Sequence, residues 1–121
     1  MLKSADIERD GDFLDYTASA AKSRGDVVSV GGLAGILTED AASGDTVPAR
    51  VRGVAVMNKK STASFSEGDT VEWDNDGTPG DSSATAGSGA LDVDGSGDFD
   101  VGKVIEDAGT SDETVRVYLN F

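Results

Sequence analysis

The chain contains no cysteine and no histidine. Without cysteine there is no disulfide staple and no thiolate metal site. Without either residue, neither a Ser-His pair nor a cysteine nucleophile can be assembled. Aromatics make up only 6% and prolines number two, so a core has to be built largely from Val, Ala, Leu and Ile. Positive charge is scarce as well, with 10 Lys and Arg against 23 Asp and Glu, a net of −13. That balance argues against nucleic acid, whose binding is driven by Lys/Arg clusters that release counterions. It disfavours an anionic membrane surface for the same reason. No stretch approaches the ~18–20 apolar residues of a membrane-spanning helix. The start, Met1-Leu2-Lys3-Ser4-Ala5-Asp6, lacks the apolar centre of a signal peptide. The chain is therefore expected to stay where it is made, the host cytoplasm, or to leave inside a particle.

What is present points to a turn-rich β protein. The length, 121 residues, is that of one domain with one modest core. Sixteen glycines, many beside Asp or Ser, favour turns over helices. Seventeen of the acids are Asp, a bias shared with proteins adapted to high salt, where a Debye length of about 3 Å near 1 M screens self-repulsion. Acidic excess also keeps a protein soluble at high density.

Residues 1–12 are polar, with isolated apolar positions at Leu2 and Ile7, and read as an N-terminal arm whose order depends on a partner, a frayed terminus being at least as common a role for such a segment. Residues 13–121 read as a single all-β domain, a small barrel or sandwich, beginning with a strand over Phe13 to Thr17. A short device then recurs: Gly25-Asp26-Val27-Val28, Gly44-Asp45-Thr46-Val47 and Gly68-Asp69-Thr70-Val71, with an echo at Ser111-Asp112-Glu113-Thr114-Val115. Gly supplies the turn conformation, Asp bonds a nearby N–H, and β-branched residues open the strand. Alternation predicts a buried face formed by Val47, Ala49 and Val51 and continued by Val54 and Val56 past a bend at Gly53. Val71 and Trp73 are expected on one side with Glu72 outward. Val115, Val117, Leu119 and Phe121 are expected in register on the last strand. Residues 74–100 shift to Gly, Ser, Asp, Ala and Thr and read as an acidic loop excursion, with a short strand around Leu91 and Val93.

Two motifs invite a chemical reading. Gly97-Asp98-Phe99-Asp100-Val101-Gly102-Lys103-Val104 has phosphate-loop spacing, but Val104 stands where a hydroxyl must hold magnesium. Asp98 and Asp100 would face phosphate with like charge, and no helix follows to cradle it. A strand entering a core is the expected reading. Asp92, Asp94 and Ser96 occupy positions one, three and five of a calcium loop, with Gly97 at six, but Lys103 replaces the bidentate Glu at twelve. Asp92, Asp94, Asp98 and Asp100 are accordingly the candidate cation ligands, a solvated acidic turn being the commoner role for such residues. No cofactor and no catalysis are expected, because the carboxylates fall in Gly/Ser-rich loops rather than in a cleft. Lys59-Lys60 reads as a solvated hairpin end more readily than as a dock for an acidic neighbour. Trp73 and Tyr118 read as core or subunit-contact residues.

The order of these segments resembles the family of small tailed-phage capsid cement, or decoration, proteins. The resemblance runs from Gly25-Asp26-Val27-Val28-Ser29-Val30-Gly31-Gly32-Leu33-Ala34-Gly35-Ile36 through Val51-Arg52-Gly53-Val54 and Phe65-Ser66-Glu67-Gly68-Asp69-Thr70-Val71-Glu72-Trp73-Asp74. It closes with Gly102-Lys103-Val104-Ile105-Glu106-Asp107-Ala108 and Thr114-Val115-Arg116-Val117-Tyr118-Leu119. Some members of that family have been labelled RecA-like recombinases, and the failed phosphate loop shows how such a label can arise. The resemblance implies a compact β-domain that oligomerises, often as a trimer, on the outer surface of the capsid, with the major capsid protein as partner and no catalytic residues. In that setting Met1, Leu2, Lys3, Ile7 and Arg9 of the arm are the expected capsid-binding residues, and Trp73 and Tyr118 the expected oligomer contacts. The competing reading is a tail or receptor-binding accessory module.

Overall fold

The structure is a computed structural model and describes residues 11–121. The arm positions Met1, Leu2, Lys3, Ile7 and Arg9 lie outside the described residues. The described chain contains nine strands and no helix: β1 Phe13–Thr17, β2 Val27–Val30, β3 Leu33–Leu37, β4 Thr46–Arg50, β5 Val54–Asn58, β6 Thr70–Asp74, β7 Ala90–Val93, β8 Phe99–Val104 and β9 Thr114–Leu119. They form two curled antiparallel sheets, β1-β4-β3-β2 and β5-β9-β8-β6-β7. The all-β class expected from turn density and alternation is the class observed.

The recurring Gly-Asp device acts as a turn lock, in one geometry at four places. Asp26, Asp45, Asp69 and Asp112 each accept, through the side chain, the N–H three residues earlier, at 2.8, 2.9, 2.8 and 2.8 Å. Each Asp N–H also donates to that same earlier residue's carbonyl. Gly25, Gly44 and Gly68 sit at φ 88°, 91° and 91°, where a side chain would be strained. The locks precede β2, β4, β6 and β9, so four of the nine strands start from a pre-formed turn.

Two apolar clusters follow from the two sheets. One gathers Val28, Val30, Leu37, Val47, Ala49 and Val51 around the first sheet. The other gathers Met57, Phe65, Val71, Trp73, Leu91, Val101, Val104, Val115, Val117 and Leu119 around the second. The chain changes sheets at residues 51–53, where Gly53 takes φ 118°.

That crossing corrects one expectation. Val54 and Val56 do not continue the face of Val47, Ala49 and Val51; they are 54% and 61% exposed. The inward parity stays with the odd positions, through half-buried Ala55 to buried Met57 and Lys59. With a side-chain period of two and no residue of offset at the bend, the even positions Val54 and Val56 stay outward.

Lys59 is the second correction. It is a fully buried side chain rather than a solvated hairpin end. Its Nζ donates to the carbonyls of Ala63 (2.6 Å) and Lys60 (3.1 Å), and burial pushes its pKa below the ordinary lysine value. Lys59 also bridges Leu91, and Lys60 N–H donates to the Leu91 carbonyl. The outer strands β5 and β7 of the second sheet thus meet and curl it towards closure. Lys60 Nζ fastens that seam by reaching Asp74 (2.7 Å) and Asp92 (2.6 Å); those hydrogen bonds raise its pKa.

The last strand departs from its expected pattern at the end. Val115, Val117 and Leu119 are buried as alternation requires. Asn120 then turns to φ 54° and leaves Phe121 75% exposed. Asn and Asp tolerate this left-handed conformation better than other side chains. The Asn120 amide links the sheets: its Oδ1 accepts Ala34 N–H at 2.9 Å, and its Nδ2 donates to the carbonyls of Ala34 (2.8 Å) and Val51 (2.6 Å).

Candidate functional site

The outward face of the β5–β9 pair carries a cluster of exposed apolar side chains. Val54 lies opposite Tyr118 and Val56 opposite Arg116. Because β9 turns Val115, Val117 and Leu119 inward, Arg116 and Tyr118 point out beside the two valines. The exposed Phe121 ring meets Tyr118 edge-on, with centroids 5.6 Å apart. Arg116 pairs loosely with Glu106 (3.4 Å) at one side. An exposed cluster of Val, Val, Tyr and Phe on so acidic a chain is the signature of a contact surface rather than a solvated one. Tyr118, expected as an oligomer contact, lies on this face. Trp73 is packed in the second core.

Sequence reading missed Val54 and Val56 as surface residues because their β-branched character suits either side of a strand. Gly53 misled, because a bend there suggests a shift of parity, whereas the odd positions stay inward straight through it.

The acidic segment is not a single loop. β7 divides it, leaving turns at residues 75–89 and 94–98. The four candidate cation ligands do not converge. Asp92 is taken by Lys60, and Asp98 Oδ2 accepts Asn75 N–H at 2.7 Å. Asp94 and Asp100 instead approach Glu72, the three offering oxygens within 4.8 Å of one another. Glu72, expected to point outward, is only 8% exposed. A register shift opposite β8 between Val71 and Glu72 turns its carboxylate under the 94–98 turn. There it accepts the N–H groups of Gly95 and Gly97, both at 2.8 Å.

These two N–H groups hold the Glu72 pKa below the ordinary carboxylate range. Asp94 moves the other way, because it hydrogen-bonds the Glu72 carboxylate and because burial disfavours its charge. The arrangement fixes a turn. Gly97 packs so closely on Glu72 that a Cβ there would lie 2.5 Å from the Glu72 Cβ. The failed phosphate loop is equally structural. Its residues run into β8, with Val101 and Val104 buried, and Gly102 packs directly on the Tyr118 carbonyl.

A family model described as phage cement protein matches residues 8–119. The chain belongs to the phage cement protein family. No curated protein and no solved structure matches it. As a cement protein it is a structural, capsid-associated component of a phage particle. The family's structural role agrees with a site made of an exposed apolar face and acids engaged in turns. The match runs through all nine strands, so the locks, the seam and the Val54, Val56 and Tyr118 part of the exposed face belong to the cement domain itself.

Proposed function

We propose that this cement protein decorates the outer surface of a phage capsid and stabilises the shell, acting as a homotrimer bound to the major capsid protein. The observation that carries the reading is the exposed face of Val54, Val56, Tyr118 and Phe121 on a chain of this family. Copies contact one another there, with Tyr118 at the centre. Residues 1–12 reach the capsid through Met1, Leu2, Lys3, Ile7 and Arg9; they leave the domain at Asp12, whose carbonyl accepts Val51 N–H at 2.9 Å. Many identical copies, each with a small interface, reinforce a shell through avidity.

Quantitative mass spectrometry of purified particles tests the location. A copy number approaching that of the major capsid protein supports a shell component, whereas a few copies per particle refutes it in favour of a tail accessory. Deleting residues 1–11, which leaves the Asp12 carbonyl on the Val51 N–H, is expected to weaken binding to isolated shells while leaving the melting temperature unchanged. Undiminished binding would refute the role of the arm.

A further inference from the structure

Charge is segregated along this chain. Residues 61–102 contain ten Asp and Glu and no Lys or Arg. Residues 22–60 are the reverse, with six cations against four carboxylates. Folding sharpens the contrast. Of the eight cations among the described residues, Lys59 is buried on carbonyls, Lys60 holds Asp74 and Asp92, and Arg116 pairs with Glu106. Three of the remaining five, Arg24, Arg50 and Arg52, line one cleft of about 320 Å³ between the sheets. Its apolar lining includes Ile36, Val54, Ala55 and Leu119. None of the three arginines forms an ion pair with a described residue.

Arg50 is already oriented. Its Nε donates to the Arg52 carbonyl at 2.9 Å, and its guanidinium lies 5.3 Å from the Phe13 ring centroid. One of its five N–H donors is used in this way, leaving the paired terminal nitrogens for a carboxylate, the geometry guanidinium favours.

We infer that the Arg24–Arg50–Arg52 cleft is a homotypic docking site that takes the carboxylate-rich 61–102 flank of a second copy, so that copies associate head to tail. The inference deepens the reading of this chain as a decorating oligomer and rests on it. Copies carrying −13 each repel unless unlike regions are brought together. The chain supplies both regions, a cationic cleft and an acidic flank into which Lys60 alone reaches, already held by Asp74 and Asp92. Such a contact joins two different surfaces, and contacts of that kind close into rings when the rotation allows, as a three-fold oligomer requires. Val54 belongs both to the cleft and to the exposed β5–β9 face. The charges therefore set orientation next to the apolar area that is to be buried.

Sedimentation velocity of the full chain over a concentration and NaCl series provides the test, with circular dichroism and melting confirming the fold of each variant. The wild type is expected to associate, and more weakly as salt rises. R50E/R52E should weaken association by roughly 30-fold or more, the scale of losing desolvated charge pairs. R24E, in a turn, should act in the same direction and carries the test if the double variant fails to fold. D94K/D100K, on the flank, should also fail to self-associate. Mixed with R50E/R52E, it should restore a complex, because each remaining pairing of cleft and flank joins opposite charges. A wild type that stays monomeric at every concentration overturns the inference, as does a folded R50E/R52E that associates normally. A monomeric wild type that still binds shells overturns the inference and the trimer, and leaves the decoration of the shell standing. If that binding is then lost in R50E/R52E, the cleft holds the capsid and not a copy. A chain that associates through the cleft but ignores shells keeps the inference and refutes decoration.

Discussion

Asn120 is the position at which one side chain holds the two sheets together, and removing its amide has a cost that can be worked out. Three neutral hydrogen bonds to Ala34 and Val51 are lost, at about 1 kcal/mol each. Alanine must also adopt the left-handed backbone found at φ 54°, which costs about 1 kcal/mol more. Asn120→Ala should therefore destabilise by about 4 kcal/mol, or about 15 °C in melting temperature for a domain of this size. Asn120→Gly loses the same hydrogen bonds without the backbone strain, so it should fall about 1 kcal/mol short of the alanine variant. Asn120→Asp keeps the acceptor for Ala34 N–H but sets a carboxylate against two carbonyl oxygens, so its deficit should shrink as pH falls and the carboxyl protonates. Thermal melts at one fixed protein concentration, followed by circular dichroism, measure all three. An alanine variant melting within about 3 °C of wild type would show that the clamp contributes little, and a glycine variant no better than alanine would remove the strain argument.

Glu72→Gln keeps the shape but weakens the charge-assisted hold on Gly95 and Gly97, and should cost about 2 kcal/mol in urea unfolding. The folded-state pKa of Glu72 is lowered below 4.5. Its stabilisation is therefore full above 4.5 and lost as pH falls through the lowered value, and Glu72→Gln should remove that part of the acid dependence. A variant with an unchanged acid profile would refute the assignment. Lys59 titrates below 10.5 in the folded chain, so the unfolded chain holds its proton longer and stability should rise with pH through that alkaline window. Lys59→Met should abolish the rise while changing neutral-pH stability by no more than about 1 kcal/mol; a rise that persists would place the titration elsewhere. Gly102→Ala drives a Cβ into the Tyr118 carbonyl at the β8–β9 pairing, so near-UV dichroism should be lost, and a cooperatively folded variant would refute the packing.

Much of the architecture was legible before folding because it is local. The turn locks at Asp26, Asp45, Asp69 and Asp112 close over three residues, so Gly-Asp followed by β-branched residues is enough to reveal them. The same holds for the alternation of Val115, Val117 and Leu119, and for the entry of residues 99–104 into a core strand. The errors arose where the answer depends on distant partners. Lys59 reads as a surface charge until β7 and the Ala63 carbonyl enclose it. Glu72 reads as outward until a register shift and the Gly95–Gly97 turn capture it.

By itself, then, the sequence determined the all-β class, the places where strands begin, the absence of cysteine and histidine chemistry and the acidic surplus. Each of these depends on composition or on contacts a few residues apart. Tertiary structure alone decided which face Val54 and Val56 occupy, which carboxylates meet, and that three arginines share one cleft. Arg24 is 26 residues from Arg50 along the chain. The pairing of β2 with β3 and of β3 with β4 brings them together, and no local preference encodes a meeting over that distance.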